Sequence, residues 1–317
     1  MGAQGSRLIN TPLPFFATVM GTGGLSLAWR RCAEVLHTPE FIAEALFWVA
    51  LAVFIVTSLG YAVRISDPAR LRADLQRPIT VTFLTTITVS IVILSAASRG
   101  ALPDGLAQAM WWLGAIGHLV AMVVTMRLWM NPRITLSHVT PAWFIPVVGN
   151  VIVPLGGCGF GSIERTVSLG FFAIGVVMWL GLLPVVLFRL FLAEPMPAPL
   201  SPTALVLLAP PAVSSVSAHL LFDGGAAPGV LATMLMASAG AFLLLALTMA
   251  PEIVSAPFGL AHWAMSFPLA AMASATLVFS SVVGLIFLAF ATIVICALWA
   301  RTVVAIAKGA LFAPALP

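Results

Sequence analysis

Ten apolar runs, each long enough to cross a membrane and parted by short polar or Pro/Gly breaks, constrain this chain more than any other feature. They lie at 13–30, 41–64, 78–98, 105–128, 141–160, 166–190, 201–222, 226–249, 257–278 and 281–304. A hydrocarbon core of about 30 Å takes roughly 20 helical residues at about 1.5 Å each. The pattern therefore predicts an all-α polytopic membrane protein with ten transmembrane helices. Of the 317 residues only 8 % are charged and 61 % are hydrophobic, whereas a soluble domain carries about a quarter charged. So few charges cannot cover a water-facing surface. The thinnest joint is "LVFSSVVG", with only Ser280, Ser281 and Gly284 as a turn, and the fifth run is irregular, with Pro146, Pro154 and a closing "GGCGFG". Because the joints are short, 1–317 reads as a single transmembrane domain. The first run is expected to be a membrane helix and not a removed signal, since no small-residue cleavage site follows it.

The 14 basic and 10 acidic residues form no dense Lys/Arg stripe, so the balance points to membrane orientation and away from nucleic acid. With ten spans, both termini share a side. That side and its joints hold Arg7, Arg64, Arg70, Arg72, Arg77, Arg127, Arg133, Arg189, Arg301 and Lys308. The opposite joints hold Arg30, Arg31, Arg99 and Arg165, which predicts cytoplasmic termini. Cys32, Cys158 and Cys296 make no CxxC pair, and His37, His118, His138, His219 and His262 are dispersed. No metal or cofactor site is expected from such spacing, and a membrane-embedded reductase has no recognisable thiol or ligand cluster. The phosphate-cradling GxxxxGK[ST] does not occur, which argues against ATP-driven transport by this chain alone.

Prolines are shared unevenly between the runs. Pro14, Pro146, Pro154, Pro210, Pro211 and Pro268 fall in odd-numbered runs, and only Pro184 is interior to an even one. Each proline is expected to kink its helix and free a carbonyl that needs a partner in protein or water, which turns the odd runs toward the bundle interior. Hydroxyls follow the same partition: Thr82, Thr85, Thr86, Thr88 and Ser90 in the third run, Ser214, Ser215 and Ser217 in the seventh, Ser266, Ser274 and Thr276 in the ninth. Gly21, Gly23, Gly24, Gly149 and Asn150 add bare backbone and an amide. An inner ring of odd helices would gather these groups around one axis, with Thr82, Thr85, Thr86, Ser90, Ser214, Ser215 and Ser266 lining it. Small residues also pack helices closely without any pore, and the residues alone leave both readings open. No Asp, Glu, Lys or Arg is interior to the odd runs, and His118 and His219 read as packing or interface residues. A path without carboxylates suits anions or uncharged solutes.

Four stretches in order, "PLPFFATVMGTGGLS" (12–26), "TPAWFIPVVGNVIVPLGG" (140–157), "PTALVLLAPPAVSSVSA" (202–218) and "HWAMSFPLAAMASAT" (262–276), resemble the family of bacterial TehA tellurite-resistance proteins, plant slow-type anion channels and fungal malate transporters. The resemblance implies five helical hairpins about a pseudo-fivefold axis, odd helices lining a central pore in each subunit, and a homotrimer. It implies a passive, gated channel for small anions such as chloride and nitrate, or alternatively a carrier of C4-dicarboxylates or tellurite, proton-coupled or not. It also implies that Phe267 of "SFPLA" blocks the pore, with Ala264, Ala270 and Ala271 leaving room for the ring to turn. Pro146, Pro210, Pro211 and Pro268 would shape the inner helices toward a waist, with Gly149 beside Pro146, and Gly21 and Gly23 doing so in the first helix. The setting expected is a bacterial inner membrane. Plant members carry long cytoplasmic tails that this chain lacks, so kinase control of that kind is not expected.

Overall fold

The computed structural model describes residues 11–132, 134–224, 227–309 and 311; Arg7 and Arg133 of the charge count lie outside them. The described residues form helices and no strand. We number the long helical segments α1 (Phe16–Leu36), α2 (Phe41–Ile65), α3 (Pro78–Ala97), α4 (Asp104–Trp129), α5 (Pro141–Gly157), α6 (Ser162–Leu192), α7 (Ala198–Asp223), α8 (Val230–Leu247), α9 (Leu260–Phe279) and α10 (Ser281–Ala307). All but α1 and α5 are, among the described residues, 8 helices long and apolar enough to cross a membrane. The chain is thus an all-α, multi-pass membrane bundle. The thin joint between the last two runs is a single extended residue, Ser280, whose hydroxyl accepts from the Val283 amide to start α10.

Burial divides the segments. In their most apolar stretches α3, α7 and α9 are 67, 83 and 83 % buried, while α2, α4, α6, α8 and α10 are 22–33 % buried. α1 and α5 are also buried along most of their length. The outer segments present Trp48, Leu59, Leu113, Val177, Met234, Ile286 and similar side chains to the surroundings, a belt that only lipid would solvate without cost. Packing runs from α1 to α3, α5, α7, α9 and back to α1, and each of these pairs with the outer segment that follows it in the chain. Each outer segment also touches the next inner one, as α2 does α3 and α10 does α1.

Serines fasten three of these pairs in the same way. Ser26 donates to the Ala43 carbonyl at 2.6 Å, Ser95 to Ala107 at 2.6 Å and Ser215 to Ala232 at 2.7 Å, in each case from an inner to an outer segment. Such a bond between membrane helices contributes about 0.6 kcal/mol on average and up to about 1.7, because a separated helix in lipid finds other partners. Between α4 and α5 the clamp is a histidine. The fully buried His118 ring places Nε2 2.9 Å from the Pro146 carbonyl and Nδ1 3.2 Å from the Thr88 hydroxyl. It packs helices, as the sequence suggested. Between α2 and α3 the short helix Pro68–Gln76 is tied to α2 by the two-pronged Arg64–Asp74 pair at 2.8 Å, with Asp74 buried.

Pro146, Pro210, Pro211 and Pro268 do not interrupt continuous α-helices, contrary to expectation. α5, α7 and α9 each begin as a 3₁₀ stretch (Pro141–Phe144, Ala198–Leu208, Leu260–Met265) and change to α-helix where Pro146, Pro210–Pro211 and Pro268 sit in the first turn. A proline there loses nothing, because first-turn amides have no intrahelical acceptor. Gly149 is the tightest seat in this region: a Cβ there would lie 2.0 Å from Cε1 and 2.3 Å from Nε2 of His118. Gly149→Ala is therefore expected to cost about 1–3 kcal/mol by overpacking, seen as a lower melting temperature in detergent. An unchanged melting temperature would mean that α4 and α5 do not approach this closely.

Candidate functional site

Two cavities lie end to end between the buried segments. The larger, about 90 Å³, is lined by residues from or at the end of all five: α1, α3, α5, α7 and α9. Its lining from α1 is Gly24, Leu27, Arg31 and Glu34, with Arg30 beside them; from α7 it is Val213, Val216 and Leu220; from α9 it is Phe267, Ala271 and Ser274. Steps of three and four residues put each set on one helix face. The smaller cavity, about 20 Å³, takes Ala17 and Met20 from α1, Ile145, Val148 and Ile152 from α5, Val206 and Ala209 from α7, and Trp263, Ala264, Phe267 and Pro268 from α9. About 10–15 Å³ is needed for one water, so this space admits a single molecule among apolar walls.

Phe267 is common to both. On every segment that lines both cavities, apart from the shared Phe267, the residues of the smaller come earlier in the chain than those of the larger. The inner segments therefore run in the same direction along a common axis, and the Phe267 ring stands between the two spaces. The ring is buried, with 5 % exposure. It lies against Gly24, where a Cβ would come within 2.8 Å of its Cδ2.

The remaining sequence-expected residues have other surroundings. Gly21 meets the Ser266 hydroxyl and the Trp263 ring of α9, whereas Gly23 faces Ile93 and Ala50 and so packs α1 against α3 and α2. Pro268 lines the smaller cavity, and Pro146, Pro210 and Pro211 are buried without lining either one. The seven hydroxyl residues expected along the path, Thr82, Thr85, Thr86, Ser90, Ser214, Ser215 and Ser266, line neither cavity. Most are engaged by backbone. α3 breaks at residues 83–85, and there Thr82 donates to Pro78, Thr86 to Phe83 at 2.5 Å and Thr88 to Thr85 at 2.9 Å. Ser90 donates to Thr86 at 2.7 Å, Ser266 to Trp263 at 2.6 Å at the 3₁₀-to-α change, and Ser215 to α8. Thr85 reaches Thr82 at 3.5 Å, while the buried Ser214 hydroxyl has no partner.

Sequence reading missed Gly24 as the seat of the ring, Ser274 as the hydroxyl that does line a cavity, and Arg31, Glu34 and Arg99 at its wide end. It took the inner helices as uncharged because the first apolar run stops at 30; α1 continues to Leu36 and carries Arg31 and Glu34 in helical register. The signal was the stripe through Gly24, Leu27, Arg31 and Glu34. Among the described residues no group of three His, Cys, Asp or Glu is placed to hold a metal ion.

A lipid-embedded bundle whose buried segments surround stacked axial cavities has the build of a membrane transport protein. A model of the voltage-dependent anion channel family (SLAC1) matches residues 10–307, and the chain belongs to that family. It is 30 % identical over 219 residues to an uncharacterized transporter of Methanocaldococcus jannaschii, an alignment covering 65 % of this chain and 63 % of that relative. It is 27 % identical to a tellurite resistance protein TehA homolog of Haemophilus influenzae, over 84 % of this chain and 81 % of the relative. With the S-type anion channel SLAH2 of Arabidopsis thaliana it shares 26 % identity over 86 % of this chain and 53 % of the plant protein. The aligned part thus spans under two thirds of the archaeal and plant relatives.

Gly24 and Phe267 should be coupled. Gly24→Ala forces the ring to shift and is expected to lower the melting temperature, at about 1–3 kcal/mol. In a Phe267→Ala background the same change should cost little, since a Cβ then meets only the Ala270 methyl at 3.4 Å. Additive losses in the double-mutant cycle would show that the ring does not oppose residue 24.

Proposed function

We propose that the protein is a passive, gated anion channel, in which the two cavities are segments of one pore and Phe267 is its gate. The observation that carries this reading is the ring shared by both spaces, with every inner segment contributing to the larger. Dehydrating an ion costs many kcal/mol, so an aromatic ring in an apolar waist closes a path without any fixed charge. Family membership and the names of relatives, S-type anion channels among them, support small anions such as chloride or nitrate as the cargo. No carboxylate lines the smaller cavity, which keeps that end free of charge repulsive to an anion.

In this reading all ten segments cross the bilayer, α1 and the broken α5 included, as five hairpins about a pseudo-fivefold axis. The cyclic packing order and the three serine clamps support it. Prolines 146, 210, 211 and 268, with Gly21, Gly23 and Gly149, set the shape of the inner layer by close packing and by the 3₁₀-to-α changes. Subunits associate as a homotrimer in a bacterial inner membrane. Among the described residues, the side bearing the termini holds Arg64, Arg70, Arg72, Arg77, Arg127, Arg189, Arg301 and Lys308, against Arg30, Arg31, Arg99 and Arg165 opposite, which favours cytoplasmic termini.

Reconstitution in bilayers under asymmetric chloride tests the channel and the gate together. Phe267→Ala is expected to raise anion current by at least about tenfold, with a reversal potential that follows the chloride equilibrium potential. Removing the ring costs roughly 3–5 kcal/mol of packing, so assembly is checked by size-exclusion profile beside the current. A well-assembled variant that conducts no more than the parent overturns the gate. Flux that is driven by a pH gradient and does not follow the chloride equilibrium potential would instead identify a carrier of dicarboxylate or tellurite.

A further inference from the structure

The wide end of the larger cavity is bounded by charges that pair with one another across two helices. Glu34 on α1 accepts through Oε2 from Arg31 Nη1 at 3.1 Å and through Oε1 from Arg99 Nη1, just beyond α3, at 3.2 Å. One turn nearer Phe267, the buried Arg30 gives Nη1 to Glu40 and Nη2 to the Ala97 carbonyl at 3.1 Å, and its buried Nε has no partner. Three guanidiniums against two carboxylates leave one positive charge in excess.

We infer that Glu34 is a tethered counter-anion, occupying the arginine pair through which an anion enters the cavity, so that each entering anion exchanges with this carboxylate. The inference rests on the channel reading above and adds to it the group that sets anion affinity at the mouth. The pair is exchangeable because it is wet: the Glu34 and Arg99 side chains are 39 and 57 % exposed, and ion pairs so exposed are held only weakly. Arg31 is 19 % exposed and remains in place as the hydrogen-bond donor to the anion when the carboxylate swings out. Glu34 also fixes the mouth's charge. Without it the local field favours anions more strongly, which raises their concentration at the mouth and their rate of entry.

The test compares Glu34→Gln, Arg99→Gln and Glu252→Gln, the last an exposed carboxylate on the short helix Ala250–Ser255 remote from the cavity. In the Phe267→Ala background, Glu34→Gln is expected to lower the half-saturating chloride concentration by about three- to tenfold and to raise the chloride-to-potassium permeability ratio. Arg99→Gln should move both the other way, and Glu252→Gln should move neither. A second readout needs no conduction: melting temperature of detergent-purified protein as chloride replaces gluconate at constant ionic strength. Binding to the folded state stabilises it, so Glu34→Gln should reach its chloride plateau at several-fold lower concentration than the parent. If Glu34→Gln follows the parent in melting, the tethered counter-anion is overturned. If Phe267→Ala passes no anion current, the channel reading falls, and the melting comparison still decides the mouth.

Discussion

In hydrocarbon every backbone N–H and C=O must find its partner inside the protein, and this constraint governs the inner layer of the bundle. A 3₁₀ stretch that turns into an α-helix changes which carbonyl each amide reaches, and the junction leaves acceptors to be satisfied. α5, α7 and α9 place their prolines in the first α-turn, where no donor is lost. Ser266 fills the Trp263 carbonyl at the α9 junction, and the threonines of α3 fill the carbonyls around its break at residues 83–85. The irregular backbone is tolerated because it is enclosed by α2, α4, α6, α8 and α10, which meet the lipid as regular helices. Phe267 occupies the first turn of one such junction, one residue before Pro268. Its position is thus set by the change of helix type.

Dryness follows from the same layer. Between Phe267 and the N-terminal ends of the inner segments the walls are alanine, methionine, isoleucine, valine and tryptophan, around room for one water. Beyond the ring the space widens and acquires a hydroxyl at Ser274 and then arginines. An ion on this axis would meet its largest desolvation cost at the ring and in the narrow space next to it, because polar groups return only toward the wide end.

The spans were legible because length and hydropathy are local properties of the chain, and their boundaries agree with the helices within a few residues for most of them. The inner and outer partition was also legible, through prolines and hydroxyls, although for a different reason from the one the pattern suggested. Thr82, Thr86, Ser90 and Ser266 mark the inner layer because broken helices need local donors, and a hydroxyl that repairs its own backbone cannot also face a cavity. Whether a serine turns to backbone or to the axis depends on the helix type around it, which apolar periodicity does not reveal. Arg31 and Glu34 escaped notice because hydropathy ended the first run before them, while the helix itself ran on past the apolar stretch. Gly24 was visible as a glycine but not as a seat, since its neighbour Phe267 is far away in sequence.

The placement of the arginines follows from the direction of the inner helices. All of them send their C-terminal ends toward the larger cavity, and helix C-termini carry partial negative charge and unpaired carbonyls. Left alone, that end of the axis would repel anions. Arg30 donates to the carbonyl of Ala97, the last residue of α3, and Arg165 donates to Leu221 in the last turn of α7. These guanidiniums cap the carbonyls and offset the dipoles together. The opposite end collects helix N-termini, whose partial charge is already positive, and the smaller cavity there carries no charged side chain at all. Parallel inner helices thus favour cations at the wide end of the axis and need none at the narrow one, and the two cavity linings differ in that way.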